Sequence, residues 1–315
     1  MLTEVRMNFR QQDFGTSLES YSISREIGKG GFSHVYEAVA AVRHPNGIFK
    51  KKVAVKCVDR RSAQKDILTR IDNERNIHME LNHPSIVQML QYFDDGNYSY
   101  FVLEYCEQDL AHFLDKRPTD ENTARHIFRQ VVKGLIYLHD KNIIHRDIKP
   151  GNILLTANHD AKICDFGLAT RYSRSAPEHT TLCGTPAFMA PEVLSNSHTI
   201  DSDKWSLGIL LYTMVVGCPP KPPSSARGYR AQELSFSAVS AAAADLITSL
   251  LQYDAEKRIS LEKVLCHPWL DGSSSLRNFT SPNRSADSGH GSFSRPAVRL
   301  RRRNLDCRYR IPTGY

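Results

Sequence analysis

Residues His145-Arg146-Asp147-Ile148-Lys149-Pro150-Gly151-Asn152 set a carboxylate, a cation and a carboxamide at offsets 0, +2 and +5. They interrupt two short apolar runs, Ile143-Ile144 and Ile153-Leu154-Leu155. A connecting loop has no structural need for that set. Phosphoryl transfer does: a carboxylate orients the attacking hydroxyl, a cation faces the γ-phosphate, and an oxygen donor holds metal. Asp165-Phe166-Gly167 follows thirteen positions after Asn152. Its carboxylate can supply the second oxygen ligand, because hard cations such as Mg²⁺ select carboxylate and amide oxygens.

Two further features concern an anionic ligand. Lys56 stands in Val-Ala-Val-Lys, where a lysine is ordinarily a solvated edge residue. Ile67, Ile71, Glu74, His78 and Leu81 follow one another at spacings 4, 3, 4 and 3, so they share one helix face. A carboxylate on that apolar face needs a cationic partner, and Lys56 is the natural candidate. Upstream, Ile27-Gly28-Lys29-Gly30-Gly31-Phe32-Ser33 begins a G-x-G-x-x-G pattern with Ser33 at the third glycine position. The apolar Val35-Tyr-Glu-Ala-Val-Ala segment behind it is strand-like, which suits a flap over phosphates better than the strand-to-helix turn of a dinucleotide site. Taken alone, the glycines equally fit an ordinary hairpin.

The elements that must carry these groups divide the chain. Alternation at Tyr21, Ile23 and Ile27 predicts a half-buried strand, followed by Val35–Val42, a Pro45-Asn46-Gly47 turn and a KKVAVKCV strand, an antiparallel meander. Tyr98–Tyr105 is a further strand. Thr119-Asp-Glu-Asn starts a helix whose apolar face runs through Ala124, Ile127, Phe128, Val131, Leu135 and Leu138. Trp205–Val216 is apolar nearly all round and predicts a buried helix. A β-rich front section thus precedes a helix-rich rear section, joined near Glu104-Tyr105-Cys106. Residues 1–20 read as a polar extension, and 271–315 as a disordered Ser/Arg-rich tail.

With 315 residues and 41% hydrophobic content there is ample core material. The seven cysteines form no C-x-x-C pair, which argues against a zinc site or disulfide framework and for a reducing compartment. The N-terminus has no apolar signal-peptide core, and the most apolar stretch, Leu207–Val216, falls short of the ~20 residues that span a bilayer. Of the net charge of +7, the tail carries +6, from nine arginines against three aspartates. The basic balance is therefore a property of the tail and no argument that the folded part binds nucleic acid.

The ordered set Gly28-x-Gly30, Val-Ala-Val-Lys56, Glu74, His-Arg-Asp147-Ile-Lys149-Pro-Gly-Asn152, Asp165-Phe-Gly and Ala190-Pro-Glu192 resembles the eukaryotic protein-kinase signature over Tyr21–Leu270. Lys149 and Gly184-Thr185-Pro186 look like its serine/threonine branch. The stretches HPSIVQMLQYFDDGNYSYFVLEYC, DFGLATRY, TLCGTPAFMAPE and ISLEKVLCHPWL are similar to the Polo-like kinases of centriole duplication.

The resemblance implies an α+β, bilobal kinase fold with an N-lobe at 21–105 and a C-lobe at 106–270. It implies ATP and Mg²⁺ as cofactors and protein substrates. Asp147 is then the base or hydroxyl-orienting residue, Lys149 neutralises the γ-phosphate, and Asn152 and Asp165 hold the metal. Lys56 contacts the α- and β-phosphates and is positioned by Glu74. Ile27, Gly28, Gly30, Val35, Ala54, Leu103, Glu104, Cys106 and Leu154 frame the nucleotide, with Leu103 as gatekeeper. Glu192–Arg258 is a structural ion pair, and Asp203 braces the catalytic loop. Thr181 is the expected activating phosphosite, its charge of about −2 pairing with Arg146. Ser288 and Ser292 in Asp-Ser-Gly-His-Gly-Ser look like a phosphodegron read by a ubiquitin-ligase adaptor. A cytoplasmic, centriolar location and no membrane partner follow from the same resemblance.

Two departures stand out. Ser33 replaces a glycine, which matters only if the position needs φ > 0. Residues 221–244 are short and rich in Pro, Ser and Ala where kinases carry a helix near the substrate surface, which bears on substrate docking. The family's polo-box region is absent from these residues. An ATP-binding scaffold without transferase activity is the alternative reading.

Overall fold

The computed structural model describes residues 11–31, 33–61, 63–173, 183–195, 199–221, 234–237 and 239–272. Thr181, Ser288 and Ser292 lie outside them. The front section is a five-stranded antiparallel sheet of β1 (Tyr21–Lys29), β2 (Ser33–His44), β3 (Gly47–Asp59), β4 (Met89–Asp94) and β5 (Tyr98–Glu104), in the order β1-β2-β3-β5-β4. Helix α1 (Lys65–His78) follows β3 and buries Ile71, Glu74, Ile77 and His78. Leu81 lies beyond the end of α1, in the turn that follows, yet is equally buried.

There follow β6 (Gln108–Asp109), α2 (Leu110–Leu114), the long α3 (Glu121–Asp140), β7 (Ile143–Ile144), β8 (Ile153–Leu155), β9 (Ala161–Ile163) and β10 (Thr170–Arg171). The rear section is completed by α4 (Ile200–Val216), α5 (Ala241–Leu250), α6 (Leu261–Leu265) and α7 (Pro268–Asp271). The Asp120 side chain caps α3 by accepting from the Asn122 and Thr123 amides, satisfying donors that the first turn leaves open. The apolar stripe of α3 then faces α4, which is buried on every side. Gly208 lets α4 and α5 approach closely, since a β-carbon there would stand 2.8 Å from Leu251. The Ala-rich end of the unusual 221–244 segment supplies the first turn of α5, capped by Ser240. The predicted α+β, two-lobed architecture is the one the chain adopts.

Two sequence expectations are corrected. Only Tyr21 of the predicted half-buried strand is buried; Ile23 and Ile27 are exposed. Register shifts at Ile23/Arg25 and Glu26/Gly28 break the two-residue period. The polar reading of 1–20 also misses Phe14, which is buried in the sheet core with Tyr21, Val42 and Phe93. A single aromatic between polar neighbours carries no periodic signal.

Candidate active site

Sheet and helix together place the cation. Lys56 points from β3 toward α1, and its Nζ donates to Glu74 Oε1 at 2.7 Å and to Asp165 Oδ1 at 3.1 Å. Burial opposes the charge on Lys56, but Asp165 and Glu74 outweigh it and keep the ammonium protonated. Lys56 in turn holds the Asp165 carboxyl down to about 2. One side chain thus ties the sheet, α1 and the segment after β9.

Asp165 sits at φ +61° and Arg146 at φ +68°, a left-handed conformation that non-glycine residues seldom adopt. Asp203, buried in the first turn of α4, holds the second of these turns. Its carboxylate accepts from the His145 and Arg146 amides and lies against His139 Nε2, each at 3.0 Å. The Arg146 Nε donates to the Leu168 carbonyl.

That brace presents Asp147. Its Oδ1 accepts from the Thr185 amide at 2.9 Å and the Thr185 hydroxyl at 2.8 Å. Its Oδ2 accepts from Asn152 Nδ2 at 2.9 Å and pairs with Lys149 Nζ at 2.7 Å. Lys149 also donates to Thr185 Oγ1. Thr185 was predicted only as a branch marker. No local spacing rule could reveal that it closes this cluster from 38 positions away.

The residues present fit a divalent cation. Both Nδ2 hydrogens of buried Asn152 go to Asp147, leaving its Oδ1 with no hydrogen bond among the described residues. Asp165 Oδ2 is likewise unengaged among them. These are two hard oxygen donors of the kind magnesium takes. The fit to a nucleobase rests on the strand-to-helix connection: the N–H of buried Cys106 donates to no described residue. Glu104 beside it is pinned, its Oε1 accepting from the Gln88 amide at 2.7 Å and pairing with Lys162 at 3.0 Å. Burial pushes the Cys106 thiol up to about 12 and the Cys164 thiol well above its ordinary value.

Over the site, the glycine loop is a tight turn in which Gly30 N–H donates to Ser33 O at 2.7 Å. A β-carbon on Gly30 would come within 2.8 Å of Ser33 Oγ. Ser33 itself lies in β2 opposite Val58, with no positive φ, so serine is accommodated there. The expected structural ion pair is present, Arg258 meeting Glu192 at 2.6 and 2.7 Å.

Beneath the lysine lies a stack that the sequence showed only as part of a helix face. His78 Nε2 donates to Val87 O at 2.6 Å, and its ring packs on Phe166 with centroids 4.6 Å apart. Phe166 packs in turn on His145. Burial lowers the His78 pKa to about 4. In the unfolded chain His78 takes a proton near the ordinary imidazole value of 6.5, whereas folded it stays neutral to about 4. The unfolded state therefore binds more protons in that window, and stability falls as pH drops through it. His78→Gln, which retains a donor for Val87, is expected to flatten this fall by up to ~1.4 kcal/mol per pH unit. Urea titrations at pH 7, 6 and 5 measure it; parallel slopes would refute it.

Comparison with known proteins agrees with this arrangement. Residues 21–270 match the protein kinase domain family. Serine/threonine-protein kinase PLK4 of Drosophila grimshawi is 39% identical over 293 residues, covering 89% of this chain and 38% of that relative. The same-named kinase of Xenopus tropicalis is 38% identical over 296 residues, covering 89% of this chain and 30% of its own. The chain thus spans about a third of the length of these relatives. No helix among the described residues is long and apolar enough to cross a membrane.

Proposed function

Because the chain belongs to the protein kinase family, we propose that it transfers the γ-phosphate of ATP to serine and threonine hydroxyls of proteins, as a Polo-like kinase. The observation that carries this is the convergence of Asp147, Lys149, Asn152 and Thr185 in one cluster, with Lys56 and Asp165 joined beside Glu74. The Asp147 carboxylate receives the proton of the acceptor hydroxyl as its oxygen bonds to the γ-phosphorus. The bond to the β–γ bridging oxygen breaks and ADP departs. Lys149 offsets charge on the transferred group, and Lys56, fixed by Glu74, orients the α- and β-phosphates. Asn152 and Asp165 would hold magnesium, which would supply charge neutralisation for the phosphates. The Cys106 N–H and the Glu104 backbone meet the adenine, and Ile27, Gly28, Gly30, Val35, Ala54, Leu103 and Leu154 enclose it.

The resemblance to Polo-like kinases motivates further parts of the proposal: a role in centriole duplication, a cytoplasmic and centriolar location, and turnover through Ser288 and Ser292. Activation goes through phosphate on Thr181 and its pairing with Arg146. The non-catalytic scaffold reading draws no support from a site that keeps every one of these side chains.

The test is incubation with labelled ATP and Mg²⁺, followed by mass spectrometry. Phosphate on serine and threonine, Thr181 included, is expected. Incorporation no greater than that of Asp165→Ala would end the kinase reading, whereas an active enzyme with bare Thr181 would end only the activation assignment.

A further inference from the structure

The stretch from Asp165 to Ala169 begins in a strained turn and is held at both ends. Asp165 sits at φ +61°, and a non-glycine residue keeps such a conformation only where its surroundings fix it. At the near end Lys56 Nζ meets Asp165 Oδ1 at 3.1 Å. At the far end the Leu168 carbonyl accepts from Arg146 Nε at 2.6 Å, and the carbonyl of fully buried Ala169 accepts from Asn73 Nδ2 at 2.7 Å. The Ala169 amide returns to Phe166 O at 3.0 Å, which closes the turn between the two ends.

Asn73 stands beside Glu74 in α1. Two consecutive helix residues therefore reach the two ends of one segment: Glu74 through Lys56 to Asp165, and Asn73 directly to Ala169. Asparagine is among the weaker helix formers, yet this one lies inside a helix of 14 residues. Its carboxamide reaches a carbonyl 96 positions away instead of a group of its own helix. Without that donor a buried carbonyl is left unsatisfied, and α1 loses a polar tie to the segment that carries Asp165.

We propose that Asn73 is a positioning residue: by fastening Ala169 to α1, it fixes the Asp165 carboxylate for the metal. The inference rests on the reading of Asp165 as a metal ligand in phosphoryl transfer.

The test compares Asn73→Leu and Asn73→Gln in the full chain. Leucine is close to asparagine in size, lacks the donor and is the better helix former, so a weakened site in that variant does not come from a loosened helix. Glutamine keeps the donor. Asn73→Leu is expected to speed amide hydrogen exchange over residues 166–172. It is also expected to weaken binding of the Mn²⁺ complex of a non-hydrolysable ATP analogue about three- to tenfold, the scale of one lost hydrogen bond. Half-maximal phosphotransfer should then need a correspondingly higher Mg²⁺ concentration. Asn73→Gln is expected to lie nearer the wild type on each measure. If Asn73→Leu does not fold, Asn73→Ala is read on the same scale. Wild-type exchange or wild-type affinity for the Mn²⁺ complex in the donor-free variant would overturn the proposal. So would equal losses in Asn73→Leu and Asn73→Gln, which would refer the effect to packing. Failure of the kinase reading looks different: wild-type protein that binds the Mn²⁺ complex but transfers no more phosphate than Asp165→Ala, with exchange and affinity still deciding the role of Asn73.

Discussion

Asp147→Asn is expected to lower kcat for phosphotransfer by ~10²–10⁴-fold, the usual range for removing a general base, with ATP affinity little changed. The geometry explains why an isosteric change is so severe. Each oxygen of Asp147 already accepts from described residues, Oδ1 from the amide and hydroxyl of Thr185 and Oδ2 from Asn152 and Lys149. An asparagine must turn its NH₂ toward one side or the other. On the Thr185 side it faces a backbone N–H that cannot rotate away. On the other it faces the Asn152 amide and an ammonium, donor against donor. The substitution thus removes the proposed proton acceptor and also disturbs Asn152, a proposed metal ligand, and Lys149. Steady-state kinetics with ATP and a protein substrate, beside a thermal melt to show the variant folded, decide it. A folded Asp147→Asn protein with wild-type kcat would exclude Asp147 from the role.

The second large effect concerns stability as well as catalysis. Lys56→Met removes the cation that pairs with both Glu74 and Asp165. The Lys56 and Glu74 side chains are only 14% and 7% exposed, so the loss strands a buried carboxylate. Breaking a buried pair in this way costs about 3–5 kcal/mol, a fall in Tm on the order of 10 °C for a domain of this size. Burial already pushes the Glu74 carboxyl up, with Lys56 opposing it, so without Lys56 it is expected to take up a proton more readily. Asp165 adds an acid-side signature. Its folded pKa of about 2 lies below the ordinary carboxylate value of 3.8, so the stability it contributes is complete above 3.8 and disappears as pH falls toward 2. Lys56→Met should abolish this contribution. The double variant Lys56→Met/Glu74→Leu should regain much of the lost Tm yet remain inactive. Recovery of activity in the double variant would show that Lys56 does no more than hold the lobes together.

Much of this site is legible in the chain because it is local. Asp147, Lys149 and Asn152 are neighbours in sequence, and their offsets announce a purpose beyond loop structure. The Lys56–Glu74 contact is legible for a different reason: a carboxylate on an otherwise apolar helix face demands a cation, and few candidates are near. What escapes sequence reading is long-range or aperiodic. Thr185 reaches Asp147 across a segment with no repeat to measure. The bulges that expose Ile23 and Ile27 depend on pairing with β2, which alternation within one strand cannot encode. Phe14 enters the sheet core as an isolated aromatic.

The two thiols at the proposed nucleotide site carry a pharmacological consequence. Cys106 lies in the connection between the lobes, and Cys164 immediately precedes Asp165, so both invite the design of covalent inhibitors. Cysteine attacks an electrophile as the thiolate, and burial pushes both of these thiols further above neutral pH than an ordinary cysteine. A warhead aimed at either would find a poor nucleophile. Reversible ligands that use the Cys106 N–H, which donates to no described residue, have the firmer chemical foothold at this proposed site.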